Sequence, residues 1–97
     1  MCQIFAGQDP SSYASELRSL RLNGYSTSIR LEAAFWEILD RIAAGEGLTT
    51  GGFISKLHGE VLELHGEVRN FTSLLRCACL QYLRHRNSAD SDLAAAM

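Results

Sequence analysis

The sequence predicts a mainly α-helical domain with a short β-hairpin near its start, and three observations predict it. Between residues 18 and 31, bulky and polar side chains alternate on either side of an Asn23-Gly24 pair, the spacing of a tight hairpin. From residue 31 onward, apolar side chains recur at steps of three and four, the spacing of helices. Glycines and cap-forming residues at 45–50 and 66–70 punctuate that helical pattern.

The elements follow in order. Residues 1–17 are weakly patterned and are expected to form an arm packed on a neighbour. Asp9-Pro10 marks a turn there, and Ser11 or Ser12 is placed to cap a short helical turn. In the hairpin, a two-residue type I′ loop at Asn23-Gly24 sets Leu22 opposite Tyr25, Arg21 opposite Ser26, Leu20 opposite Thr27 and Ser19 opposite Ser28. One face then collects Leu20, Leu22, Tyr25, Thr27, Ile29 and Leu31, and the other Ser19, Arg21, Ser26, Ser28 and Arg30.

A first long helix is expected from about Glu32 to Ala44. Leu31, Phe35, Ile38, Leu39 and Ile42 form its stripe, with Trp36 beside them and Glu32 in the first turn, where the helix dipole favours a carboxylate. Gly45 and Gly47 stop it, one of them in a left-handed cap conformation. Thr49 or Thr50 then caps a second helix. Ile54, Leu57, Val61, Leu64, Val68, Phe71 and Leu75 make a heptad seam that, unbroken, runs one helix through Tyr82. Gly66 and Asn70 favour a break instead, with Asn70 capping a third helix. The expected organisation is an arm over 1–17, a core with an extra strand over 18–65, a C-terminal helix over 66–86 and a flexible tail over 87–97.

With 97 residues the chain buries a modest core, so pairing with a second copy is expected to complete it. The net charge of −2 gives no global signal for a polyanionic partner. The local signal is different. From Arg18 to Arg30 there are three arginines and no carboxylate. Cys2, Cys77 and Cys79, an odd count without a leader pattern, imply reduced thiols in the cytoplasm. Cys77 and Cys79 lack the two-residue gap of a zinc or redox pair and are expected as buried core thiols. His58 and His65 are expected on a solvated helical face rather than at a metal. No nucleophile, P-loop or zinc-protease motif is present, so no catalytic site and no cofactor are expected.

The order strand, helix, Gly-containing turn, helix resembles the ribbon-helix-helix family, the Arc and MetJ type of DNA-binding dimer, over Ser26 to about Leu64. The segments "RSLRLNGYSTSIRLEAAFWEILDRIA", "GLTTGGFISKLHGEV" and "EVRNFTSLLRCACLQYL" look like a bacterial subgroup with an extra N-terminal strand and a C-terminal helix, extending the resemblance to roughly residues 2–85. The resemblance implies an intertwined homodimer sharing an antiparallel sheet, a cytoplasmic transcriptional regulator or repressor, with double-stranded DNA as partner. Strand residues Ser26, Ser28 and Arg30 would then read bases in the major groove. Arginine pairs bidentately with guanine and serine bonds to several bases. Ser19 and Arg21 would supply flanking or phosphate contacts. Thr49, Thr50 and Gly51 would offer a helix N-terminus to a phosphate. The dimer core would be Leu20, Leu22, Ile29, Leu31, Phe35, Trp36, Ile38, Ile42, Ile54 and Leu57. The alternative is a dimeric interaction or assembly module without a DNA role, meeting a protein through the second or C-terminal helix. The acidic run Glu60, Glu63 and Glu67, the extra strand and the last helix fit that alternative.

Overall fold

The computed structural model describes the backbone of residues 2–96 and the side chains of residues 2–86. A short helix α1 (Cys2–Ala6) and a 3-10 turn (Pro10–Ser12) lead into β1 (Ser15–Leu22) and β2 (Tyr25–Glu32). Three helices follow, α2 (Ala33–Gly45), α3 (Thr50–His65) and α4 (Phe71–Ala96). The tail expected over 87–97 lies outside the described side chains.

The hairpin has the expected register. Leu22 pairs with Tyr25, and the ladder runs antiparallel to Ser15 opposite Glu32. Asn23 and Gly24 take φ of 51° and 90°, the two left-handed residues of a type I′ loop, which Asn and Gly adopt at least cost. β1 begins three residues before the alternation implied, and Ala33 N–H donating to the Ala14 carbonyl (2.9 Å) carries the pairing one rung further. The turn is also tethered: Asn23 N–H donates to Ser55 Oγ (3.3 Å), and its amide nitrogen lies 2.9 Å from Nδ1 of His58. His58 in turn packs edge-on against Phe71 (5.0 Å between ring centroids), so it is engaged rather than solvated.

Glu32 occupies the N-cap position of α2 without capping it, because Arg76 of α4 holds its carboxylate at 3.0 and 3.3 Å. At the other end Gly47, not Gly45, is left-handed, with φ of 72°. Thr49 caps α3 by accepting from Gly52 N–H (3.0 Å). The helices part at the expected break: Gly66 (φ 75°) ends α3 with its N–H on the Leu62 carbonyl, and α4 starts after Asn70. Asn70 itself has φ of 49° and accepts from Leu74 N–H through its carbonyl (3.0 Å).

The core lies between the inner face of the hairpin and α2, α3 and α4. Leu22, Ile29, Leu31, Trp36, Leu39, Ala43, Ile54, Leu75 and Cys79 are buried. Each large apolar side chain removed from water contributes roughly 2 kcal/mol. Three expectations change here. The buried stripe of α2 is Trp36, Leu39 and Ala43, one position round from Phe35, Ile38 and Ile42, which are only half-buried at its rim. The α3 seam stops early: Leu64, on the last turn before Gly66, is 79% exposed because the chain turns away there. Of the two thiols of α4, Cys79 is buried and Cys77 exposed, as a two-residue offset on a helix requires. Burial pushes the Cys79 thiol up to about 11, and its Sγ lies 3.7 Å from the Phe35 carbonyl.

A further difference concerns the residues expected to be sealed by a second chain. Leu22, Ile29, Leu31, Trp36 and Ile54 are already buried against their own chain, while Leu20, Phe35, Ile38, Ile42 and Leu57 are half-buried. The chain's own β1 and α4 explain this, covering what a single strand and two helices would leave bare.

Candidate nucleic-acid interface

Parity along the two strands builds the site. Residues of one parity face the helices, so those of the other, Leu17, Ser19 and Arg21 on β1 and Ser26, Ser28 and Arg30 on β2, share the outer face. All six are exposed, so neither the N-terminal arm nor α4 covers the face among the described residues. They form three rungs: Arg21 with Ser26, Ser19 with Ser28, and Leu17 with Arg30.

The three arginines do not share one fate. Arg18 has inner parity. Its guanidinium lies 4.5 Å from the Trp36 ring centroid and bonds to Asp40 at 2.8 and 3.2 Å and to Glu16 at 2.9 Å. These bonds raise the Arg18 pKa, and the Arg18 hydrogen bond holds the Asp40 carboxyl below its usual range, against a smaller opposing effect of burial. Arg18 therefore belongs to the scaffold. Trp36 completes that corner by donating from its indole N–H to the Glu16 carbonyl (2.9 Å).

Arg21 and Arg30 behave differently. Among the described residues neither makes a salt bridge, and Arg30 has only a long contact from Nη1 to Ser15 Oγ, at 3.4 Å. The one carboxylate of outer parity, Glu32, is held by Arg76, whose hydrogen bonds lower its pKa. Glu16 is held by Arg18 on the other side. The outer face thus keeps two uncommitted guanidiniums framed by serine hydroxyls. That arrangement offers charge and hydrogen bonds to a polyanion with readable edges.

The start of α3 flanks this sheet. Gly51 packs beside Leu20 of β1, where an added Cβ would lie 3.6 Å from the leucine side chain. Thr49 is exposed. Thr50 turns inward, its hydroxyl donating to Asp40, so only its backbone remains for the phosphate contact expected of it. The interior fate of Arg18 and the capture of Glu32 by Arg76 had no signal in strand alternation, since each partner lies 22 or 44 residues away.

A strand running directly into two helices joined by a short capped turn is the element order of a ribbon-helix-helix domain. Residues 15–83 match the family model described as a ribbon-helix-helix domain, and the chain belongs to that family. Members of the family are generally DNA-binding transcription regulators. The chain is also similar to a solved structure, that of an uncharacterized protein from Bordetella pertussis Tohama I. The two share 43% sequence identity and superpose with a TM-score of 0.88, over 92% of this chain and 71% of the other. No curated protein matches the chain. Among the described residues no helix is long and apolar enough to cross a membrane.

Proposed function

We propose that the chain is a homodimeric, sequence-specific DNA-binding transcriptional regulator of the cytoplasm that lays the outer face of its hairpin in the major groove. Ser26, Ser28 and Arg30 contact bases, Ser19 and Arg21 flank them, and Thr49, Gly51 and the backbone of Thr50 approach a phosphate. The observation that carries this is the open outer face, on which Arg21 and Arg30 have no carboxylate partner among the described residues while Glu16 and Glu32 are paired elsewhere. A two-stranded ribbon has the width to enter the major groove, and arginine is the commonest reader of guanine. The half-buried Leu20, Phe35, Ile38, Ile42 and Leu57 are the apolar surface left for a second copy.

Selection of bound duplexes from a random DNA pool tests the proposal. Enrichment of a defined site is expected, with affinity falling linearly in log salt at a slope of about −0.9 per phosphate contacted. Arg30→Ala is expected to weaken the selected site by about 1–3 kcal/mol and relax one base position. A pool that stays random through selection would overturn the assignment. The assembly-module reading keeps one supporting observation: Leu62, Leu64 and Leu80, on α3 and α4, are 44%, 79% and 47% exposed, which suits a protein partner.

A further inference from the structure

The two strands of the hairpin carry the same short text. Ser19-Leu20-Arg21-Leu22 on β1 is answered nine residues on by Ser28-Ile29-Arg30-Leu31 on β2. The register turns this repeat into symmetry. Ser19 is paired directly with Ser28, so an approximate two-fold axis through that rung carries Arg21 onto Arg30, Leu20 onto Ile29 and Leu22 onto Leu31. Burial respects the relation: both serines and both arginines are exposed, and both leucines of the last pair are buried. A hairpin needs only alternation to bury one face; it does not need the same residue types at matching distances from a central rung.

From this repeat, and resting on the DNA-binding reading above, we infer that each hairpin is by itself a pseudo-symmetric reading head, in which Arg21 reads guanine as Arg30 does, on the opposite DNA strand. Arg21 is then a specificity-determining residue and not a flanking phosphate contact. The spacing follows from the ladder. Arg21 stands opposite Ser26, four residues along β2 from Arg30. At about 3.3 Å per residue along a strand and about 5 Å between strands, the two arginine backbones lie roughly 14 Å apart. With base pairs about 3.4 Å apart along the duplex, that is about four steps. Each hairpin therefore selects a guanine on one strand and a guanine on the complementary strand about four base-pair steps away, an approximately palindromic element. Symmetry breaks at the residues that face the two arginines: Leu17, 53% exposed, stands opposite Arg30, whereas its counterpart opposite Arg21 is Ser26. The element is consequently palindromic at its two guanines and unequal beside them.

The experiment is duplex selection repeated with the full chain and with Arg21→Ala, Arg30→Ala, Arg21→Gln and Arg30→Gln. The parent is expected to enrich the paired guanines. Each alanine variant loses preference at one of them, by about 5- to 150-fold, and keeps the other. Each glutamine variant moves that same position toward adenine, whose edge a Gln side chain matches. If Arg21→Ala weakens every duplex alike and leaves the consensus unchanged, Arg21 is a phosphate contact and the inference fails while the DNA-binding proposal stands. If the parent enriches no sequence, both fail together.

Discussion

Arg18 and Arg21 stand three residues apart on β1, and the fold uses them in opposite ways. Arg18 points toward the helices, lies over Trp36 and is held by Asp40 and Glu16. Arg21, of the other parity, is exposed and makes no salt bridge among the described residues. The same contrast separates the two faces of the whole hairpin. On the inner face Arg18 and the Trp36 indole have found partners, and no buried side-chain nitrogen or oxygen lacks one among the described residues. On the outer face Arg21 and Arg30 are left without a carboxylate partner among the described residues. A guanidinium already bound to a carboxylate has exchanged its hydration for that bond and has less to gain from a phosphate or a base. An uncommitted one retains its full capacity. The comparison teaches that counting arginines on a strand overstates a binding surface by those the scaffold consumes.

The largest expected effect breaks the inner side of this comparison. Trp36→Ala removes a side chain that is 1% exposed, with its hydrogen bond to the Glu16 carbonyl and the surface on which Arg18 lies. A loss of about 3–5 kcal/mol in unfolding free energy is expected from urea titration. Arg21→Ala and Arg30→Ala, measured the same way, should stay within about 0.5 kcal/mol of the parent. A destabilisation of either arginine variant comparable to that of Trp36→Ala would mean that the outer face is structural after all. Between these lies Asn23→Ala. It places alanine at a φ of 51° and removes the amide contact to His58, so a loss of about 1–2 kcal/mol is expected, with α3 losing its hold on the turn.

Much of this fold was legible because its signals are local. The hairpin register follows from Asn23-Gly24 together with alternation, and the break at Gly66 from a residue that tolerates φ of 75° at the end of α3. The outer-face residues are legible for the same reason, since parity along a strand needs no knowledge of the rest of the chain. What was not legible depends on distant partners. The stripe of α2 turns on which neighbour covers which side, so Trp36 rather than Phe35 faces the centre. Leu64 satisfies the heptad spacing yet lies past the last packed turn. The Thr50 hydroxyl, whose partner no local pattern indicated, is held by Asp40 across the α2–α3 turn. Ionic partners 22 and 44 residues apart leave no trace in short-range pattern.

The smallest expected effect tests whether Arg18 is truly a scaffold residue. Asp40 accepts from Arg18 and from the Thr50 hydroxyl, and the Arg18 bond lowers its pKa below the ordinary value of 3.8. Because the folded-state pKa is the lower one, folding favours the ionised carboxylate. Its contribution is fully present above the ordinary value and disappears as pH falls through the depressed one. The Asp40 side chain is 44% exposed, so solvent screening keeps the pair to about 1 kcal/mol at neutral pH. Asp40→Asn should therefore lower the unfolding free energy by about that amount at pH 7, and its deficit should shrink as both proteins are acidified below about pH 4. Glu32, whose carboxyl is lowered by Arg76, remains in the variant and leaves it a residual acid slope of the same sign. Parallel stability curves for parent and variant through the whole acid range would mean that Arg18 draws its position from Trp36 and Glu16 alone. The ion pair would then be incidental to the contrast between the two faces.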